Sequence, residues 1–127
     1  MTSQENVLNW FEISVADLAR AKKFYEKIFG IKMESWNMPG LEMEVFPNDP
    51  TNGKVYGALC KSRDHKPSAD GVKIYLNGNP DLGKILDRVA AAGGIVAMPK
   101  TKVDDNIGYM GFFVDTEGNA IGLHSNK

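Results

Sequence analysis

Cysteine is almost absent from this chain of 127 residues. Its single copy, Cys60, cannot form an internal disulfide, which fits a reducing compartment. A surplus of either charge is missing too. Fifteen Lys and Arg against sixteen Asp and Glu leave a net charge of −1, so no basic field exists to hold nucleic acid or an anionic membrane. No apolar run approaches the roughly 18–20 residues that a membrane span needs. Met1 to Asn6 is polar and lacks the charged start and apolar stretch of a signal peptide. These absences predict a cytoplasmic protein without a nucleic-acid or membrane partner. The apolar fraction of 43% and charged fraction of 24% are ordinary for a globular protein, and the length suits one domain.

What the chain does contain is one segment twice. Asp17-Leu18-Ala19-Arg20-Ala21, followed by Phe29-Gly30-Ile31, reappears 64 residues later as Asp81-Leu82-Gly83-Lys84-Ile85, followed by Gly93-Gly94-Ile95. Two half-domains of one design tend to enclose a cleft between them.

Each half reads as strand, helix and three strands. Val7 to Val15 alternates, with Phe11, Ile13 and Val15 on one side and Trp10, Glu12 and Ser14 on the other. Asp17 offers an N-cap, Leu18, Ala21, Phe24, Tyr25 and Ile28 follow at helical spacing, and Gly30 suits the stop. Strands are predicted over 31–37, 41–46 and 54–60. The polar stretch 61–71, with His65, reads as a solvated linker. In the second half, Val72 to Asn77 is predicted as a strand that puts Lys73, Tyr75 and Asn77 on one face. Asp81 caps a helix carrying Leu82, Ile85, Leu86 and Val89, which Gly93-Gly94 ends. Strands follow over 95–98, 108–114 and 120–124, with Pro99 marking an edge position or strand end. Asp115 to Asn119 reads as a turn. Helices are expected on the outer faces of the sheets, so the faces away from them should line the cleft. Those faces carry Trp10, Glu12, Ser14, Lys73, Tyr75 and Asn77, a polar and aromatic set unlike a Val, Ile and Leu core.

This pattern resembles the vicinal oxygen chelate superfamily, the glyoxalase/bleomycin-resistance/dioxygenase proteins. The resemblance rests on Trp10 to Leu18, Ala21, Phe24-Tyr25 and Phe29-Gly30, and on Asp115-Thr116-Glu117-Gly118-Asn119 with the strand after it. It covers nearly the whole chain. It implies an α+β fold of two tandem βαβββ modules, here about 5–62 and 70–126 of a single domain. It also implies a homodimer. Enzymes of the superfamily hold a divalent metal at inner-facing positions of the first and last strand of each module. Those positions match Trp10, Lys73, Gly122, and Gly57 or Ala58 in this chain. None is an expected ligand for such an ion, so no metal is expected at the usual site. A divalent metal would need non-standard ligands such as Glu12 and His124.

The expectation is therefore a small-molecule-binding protein that holds a small organic ligand in the cleft between modules. Trp10, Ser14, Lys73, Tyr75 and Asn77 are the candidate ligand-binding residues. The alternative is an enzyme of lyase, isomerase or dioxygenase type with an altered or metal-free site. Its candidate catalytic pair is Glu12 and His124, a carboxylate and an imidazole suited to acid–base work near neutral pH. Glu12 has a competing partner in Lys73, whose ammonium would form a structural ion pair with it. Trp36 and Tyr109 are further candidates for stacking on a ligand. Cys60 is expected to be a buried, inert thiol.

Overall fold

Asp17 and Asp81 each begin a helix in the way the sequence predicts. In a computed structural model describing residues 1–127, the Asp17 carboxylate accepts the backbone N–H of Arg20 at 3.0 Å, and Asp81 accepts that of Gly83 at 2.9 Å. These contacts satisfy N–H groups that have no partner inside the helix. The helices are α1 (Leu18–Phe29) and α2 (Leu82–Ala92). Gly30 and Gly93 end them at φ 64° and 104°, a region that a side chain disfavours.

The strands are β1 (Trp10–Ser14), β2 (Glu34–Met38), β3 (Leu41–Val45), β4 (Tyr56–Lys61), β5 (Tyr75–Asn77), β6 (Ile95–Asp104), β7 (Gly108–Val114) and β8 (Ala120–Ser125). They form two four-stranded sheets, ordered β1-β4-β3-β2 and β5-β8-β7-β6. In each module the first strand runs parallel to the last, and the other pairings are antiparallel. The fold is thus α+β, built of two βαβββ modules.

Each helix buries one stripe at the i, i+3, i+4, i+7 spacing: Ala21, Phe24, Tyr25 and Ile28 on α1, and Leu82, Ile85, Leu86 and Val89 on α2. Both stripes enter one core with Ile13, Leu59, Phe113, Ile121 and Leu123. Burying a side chain of this size is worth about 1.5–3 kcal/mol relative to exposing it. The two helices also touch across the repeat. Lys27 Nζ donates to the Ala91 carbonyl at 3.0 Å, and Arg88 donates to the Ile28 carbonyl at 2.9 Å.

The turn between β7 and β8 ties the modules together. Glu117 accepts the backbone N–H groups of Ala16 and Asp17 at 2.9 and 2.8 Å, and it pairs with Arg20 at 2.8 Å. Asn119 Nδ2 donates to the Ser14 carbonyl at 2.8 Å. The buried Tyr25 hydroxyl donates to Asp115 at 2.6 Å. The Asp-x-Glu-Gly-Asn segment is therefore a brace between the halves.

Two expectations need correction. β6 does not stop at Pro99 but continues to Asp104. It is the edge strand, where a missing N–H removes no ladder bond from a further neighbour. β5 is shorter than predicted, beginning at Tyr75, so Lys73 lies ahead of it.

No helix is long and apolar enough to cross a membrane.

Candidate functional site

Strand parity decides which side chains share the face away from the helices. On β1 that face carries Trp10, Glu12 and Ser14, which pair in register with Tyr56, Ala58 and Cys60 of β4. Met43 pairs with Cys60 from β3, and Trp36 with Met43 from β2. A second, small apolar cluster forms there from Met43, Val45, Ala58 and Cys60, with Trp10, Trp36 and Tyr56 against it. Trp10 and Trp36 stack at 6.4 Å with their planes 12° apart. Tyr56 stands edge-on to both, at 5.4 Å from Trp10 and 6.3 Å from Trp36. All three rings are half-buried, so the first module presents an aromatic wall that is partly open.

A polar cluster adjoins this wall. Glu12 Oε2 accepts the Trp10 indole N–H at 3.1 Å, and Glu12 Oε1 lies 2.8 Å from His65 Nε2. The other ring nitrogen of His65 lies 2.6 Å from the Ser62 hydroxyl. The His65 contact, then the Trp10 contact, hold the Glu12 carboxyl below its ordinary value. Burial, and secondarily the Glu12 charge, push the Cys60 thiol up to about 12. At neutral pH Cys60 is a thiol, with no nucleophilic character of its own.

The sequence-predicted residues separate into groups. Trp10, Glu12 and Ser14 share the first-module face. Ser14 and Glu12 also border a cavity of about 200 Å³ whose lining mixes Lys66, Ser68 and Asp70 with Val72, Ile74 and Ile121. Tyr75, Asn77 and His124 belong to the second sheet, where Tyr75 pairs with Gly122 and Asn77 with His124. Tyr75 is half-exposed and edge-on to Phe112 at 5.2 Å. Asn77 accepts the Asn79 N–H at 2.9 Å.

Glu12 and His124 are not hydrogen-bonded to each other. His124 Nε2 instead lies 2.5 Å from the Ile107 carbonyl. The ion pair expected between Glu12 and Lys73 is also not formed. Lys73 is exposed and its ammonium donates to the Ala69 carbonyl. His65, expected to be solvated, is the residue that meets Glu12. The parallel pairing of β1 with β4 sets Ser14 beside Cys60, and the Ser62–His65 turn then folds back over that end. Ser-x-x-His directly after the strand was the available signal.

The usual metal positions of the fold can be tested by packing. Trp10 brings an indole ring there, stacked on Trp36 and met edge-on by Tyr56. A Cβ added at Gly122 would lie 2.6 Å from the Tyr75 ring, so that ring already fills the position. Ala58 faces the wall opposite Glu12, whereas Gly57 lies beneath Phe11 on the helix side. Indole, methyl and glycine carry no donor for a divalent ion, and Lys73, exposed ahead of β5 with its ammonium on the Ala69 carbonyl, supplies none either. These residues do not fit a metal at the usual place.

The largest cavity, about 520 Å³, lies elsewhere between the modules. Phe11, Phe29, Phe46 and Leu76 give it apolar walls, and Lys84 and Arg88 line it too. Of the predicted ligand-binding residues it includes only Asn77.

Known proteins place this architecture. The solved structure of TnmS3, an antibiotic binding protein from Streptomyces sp. CB03234, superimposes with a TM-score of 0.69 at 21% identity over 96% of this chain and 97% of that one. A glyoxalase I mutant from Zea mays gives a TM-score of 0.71 at 21% identity, over 94% of this chain and 46% of that one. In sequence, CFP32 of Mycobacterium tuberculosis is 30% identical over 118 residues, 91% of this chain. The chain spans only 44% of the length of that relative. A glyoxylase-like domain-containing protein of Didymella fabae is 30% identical over 119 residues, 88% of each chain. The family profile matches residues 7–123, from the residues before β1 to the middle of β8. With the paired modules and the brace built from Asp115, Glu117 and Asn119, this match means that the chain belongs to the Glyoxalase/Bleomycin resistance protein/Dioxygenase superfamily.

Proposed function

We propose that this chain binds a small organic ligand on its aromatic wall and does so without a metal at the superfamily's usual positions. The observation that carries the reading is the Trp10, Trp36 and Tyr56 arrangement beside Glu12. Ligand sites are concave, largely apolar and aromatic, with a few fixed polar groups. An aromatic or amphipathic molecule stacked on Trp10 would meet the Glu12 carboxylate at its polar end. The likeness to TnmS3 in fold supports a binding role without naming the ligand.

A homodimer is part of the same proposal. The second sheet leaves Ile95, Val103 and Ile107 at 66%, 42% and 51% exposure near its β6 edge, and a second copy would cover such surface. A cytoplasmic location is retained as part of it. The enzymatic alternative, of lyase, isomerase or dioxygenase type, draws on a single observation, the Glu12–His65 pair.

Thioflavin T, an aromatic cation whose fluorescence rises on binding, tests the wall, since its charged end suits the Glu12 carboxylate. Removing one stacked ring costs about 0.5–1.5 kcal/mol, so Trp10→Ala should weaken the dye about two- to tenfold. Unchanged affinity in that variant would place binding elsewhere.

A further inference from the structure

Glu12, Cys60 and His65 come from two strands and a turn, and their donor atoms all lie within 4.8 Å of one another. Carboxylate oxygen, thiolate sulfur and imidazole nitrogen are the three donor types that zinc takes. We propose that this cluster binds one thiophilic divalent ion of the zinc class, with Glu12, Cys60 and His65 as its protein ligands. The site is separate from the superfamily's usual positions, where Trp10, Ala58, Lys73 and Gly122 carry no suitable donor.

The geometry needs little change. Zn–S distances of about 2.3 Å and Zn–N distances of about 2.0 Å set tetrahedral donors about 3.3–3.6 Å apart. The Glu12–His65 contact, now 2.8 Å, would open by about 0.5 Å, and no donor pair, all lying within 4.8 Å, would need to close by more than about 1.2 Å. His65 is already turned for the task. Ser62 occupies its Nδ1, which leaves Nε2 toward the cluster. Metal-bound histidines keep such a partner on the second nitrogen. Trp10 holds one oxygen of Glu12, so the other is directed at the ion. On binding, the metal–sulfur bond forms as the S–H bond breaks and that proton leaves to solvent, while the His65 proton now on Nε2, shared with Glu12, is exchanged through solvent for one on Nδ1, where the Ser62 hydroxyl accepts it, so that an Nε2 lone pair meets the ion. Three protein ligands leave a fourth position for water or a ligand.

The test uses the full chain, stripped with chelator and titrated with cobalt(II), which reports its ligands by absorbance. One equivalent should saturate the protein with a near-ultraviolet thiolate-to-cobalt band, and zinc should bleach it. Cys60→Ala should abolish the band. His65→Gln, altered at a partly exposed ring, should weaken cobalt roughly tenfold or more with circular dichroism unchanged. If Cys60→Ala fails to fold, His65→Gln decides the matter. Absence of stoichiometric binding, or a band that survives either variant at full strength, overturns the proposal. Dye binding to the Trp10 wall is measured without metal, so that reading stands or falls by itself.

Discussion

Replacing Glu117 by glutamine keeps the side-chain shape and deletes one charge at the brace between modules. Both carboxylate oxygens are committed. One accepts the Ala16 and Asp17 N–H groups and an Arg20 nitrogen, and the other accepts Arg20 Nε and the Thr116 hydroxyl. A glutamine amide would present N–H donors where Arg20 and Thr116 also donate. Burial alone would push the Glu117 carboxyl up, but Arg20 and the backbone N–H groups outweigh it and hold the group at about 2. Moving a carboxyl from 4.5 to about 2 corresponds to about 3.4 kcal/mol at 1.36 kcal/mol per pH unit. Arg20 is half-exposed, so solvent screens part of this and about 2 kcal/mol is the expected loss at pH 7. For a chain of this size that lowers the urea midpoint by about 1 M. The sign with pH follows. A carboxyl depressed in the folded state stabilises above its unfolded value, and that stability is lost as pH falls from about 4.5 toward 2. Wild type should weaken across that window, whereas Glu117→Gln, already weaker at pH 7, should lose less there. Equal midpoints for the two proteins from pH 7 to pH 3 would refute the reasoning.

Tyr25→Phe removes the 2.6 Å hydrogen bond to the buried Asp115 and should cost about 1–2 kcal/mol in urea unfolding; no loss would mean that Asp115 finds another donor. Cys60, fully buried and with its thiol pushed up to about 12, should resist iodoacetamide at pH 8 in the native state and react only as the chain unfolds. Labelling of native protein at the rate of a free cysteine would contradict the placement.

Much of the fold could be read locally. The Asp17 and Asp81 caps, the glycine stops and the buried stripes are set by neighbours within four residues, so the repeat located both helices. Alternation assigned Trp10, Glu12 and Ser14 to a common face, because strand parity needs no knowledge of the partner strand. The site depends on pairing at long range. His65 reaches Glu12 across 53 residues; the local Ser62-x-x-His65 spacing signals a turn but does not say which strand the ring meets. Lys73 shows the reverse. Its parity was readable, but whether β5 extends that far depends on pairing with β8, which begins at Tyr75. Of the two readings of Pro99, the edge position holds and the strand end does not, because the cost of a proline depends on whether a neighbour needs the missing N–H, and β6 has none beyond it.

The chain has two tryptophans, and both lie in the aromatic wall, so their indole N–H resonances report on that surface alone. Following both in a nitrogen-15-labelled sample titrated with thioflavin T, an aromatic cation, tests the proposed site directly. The account predicts that both indole signals shift and saturate together with the dye fluorescence. Dye that binds while both indole signals stay in place, with shifts confined to Phe29, Leu76 and Arg88 around the 520 Å³ cavity, would contradict it.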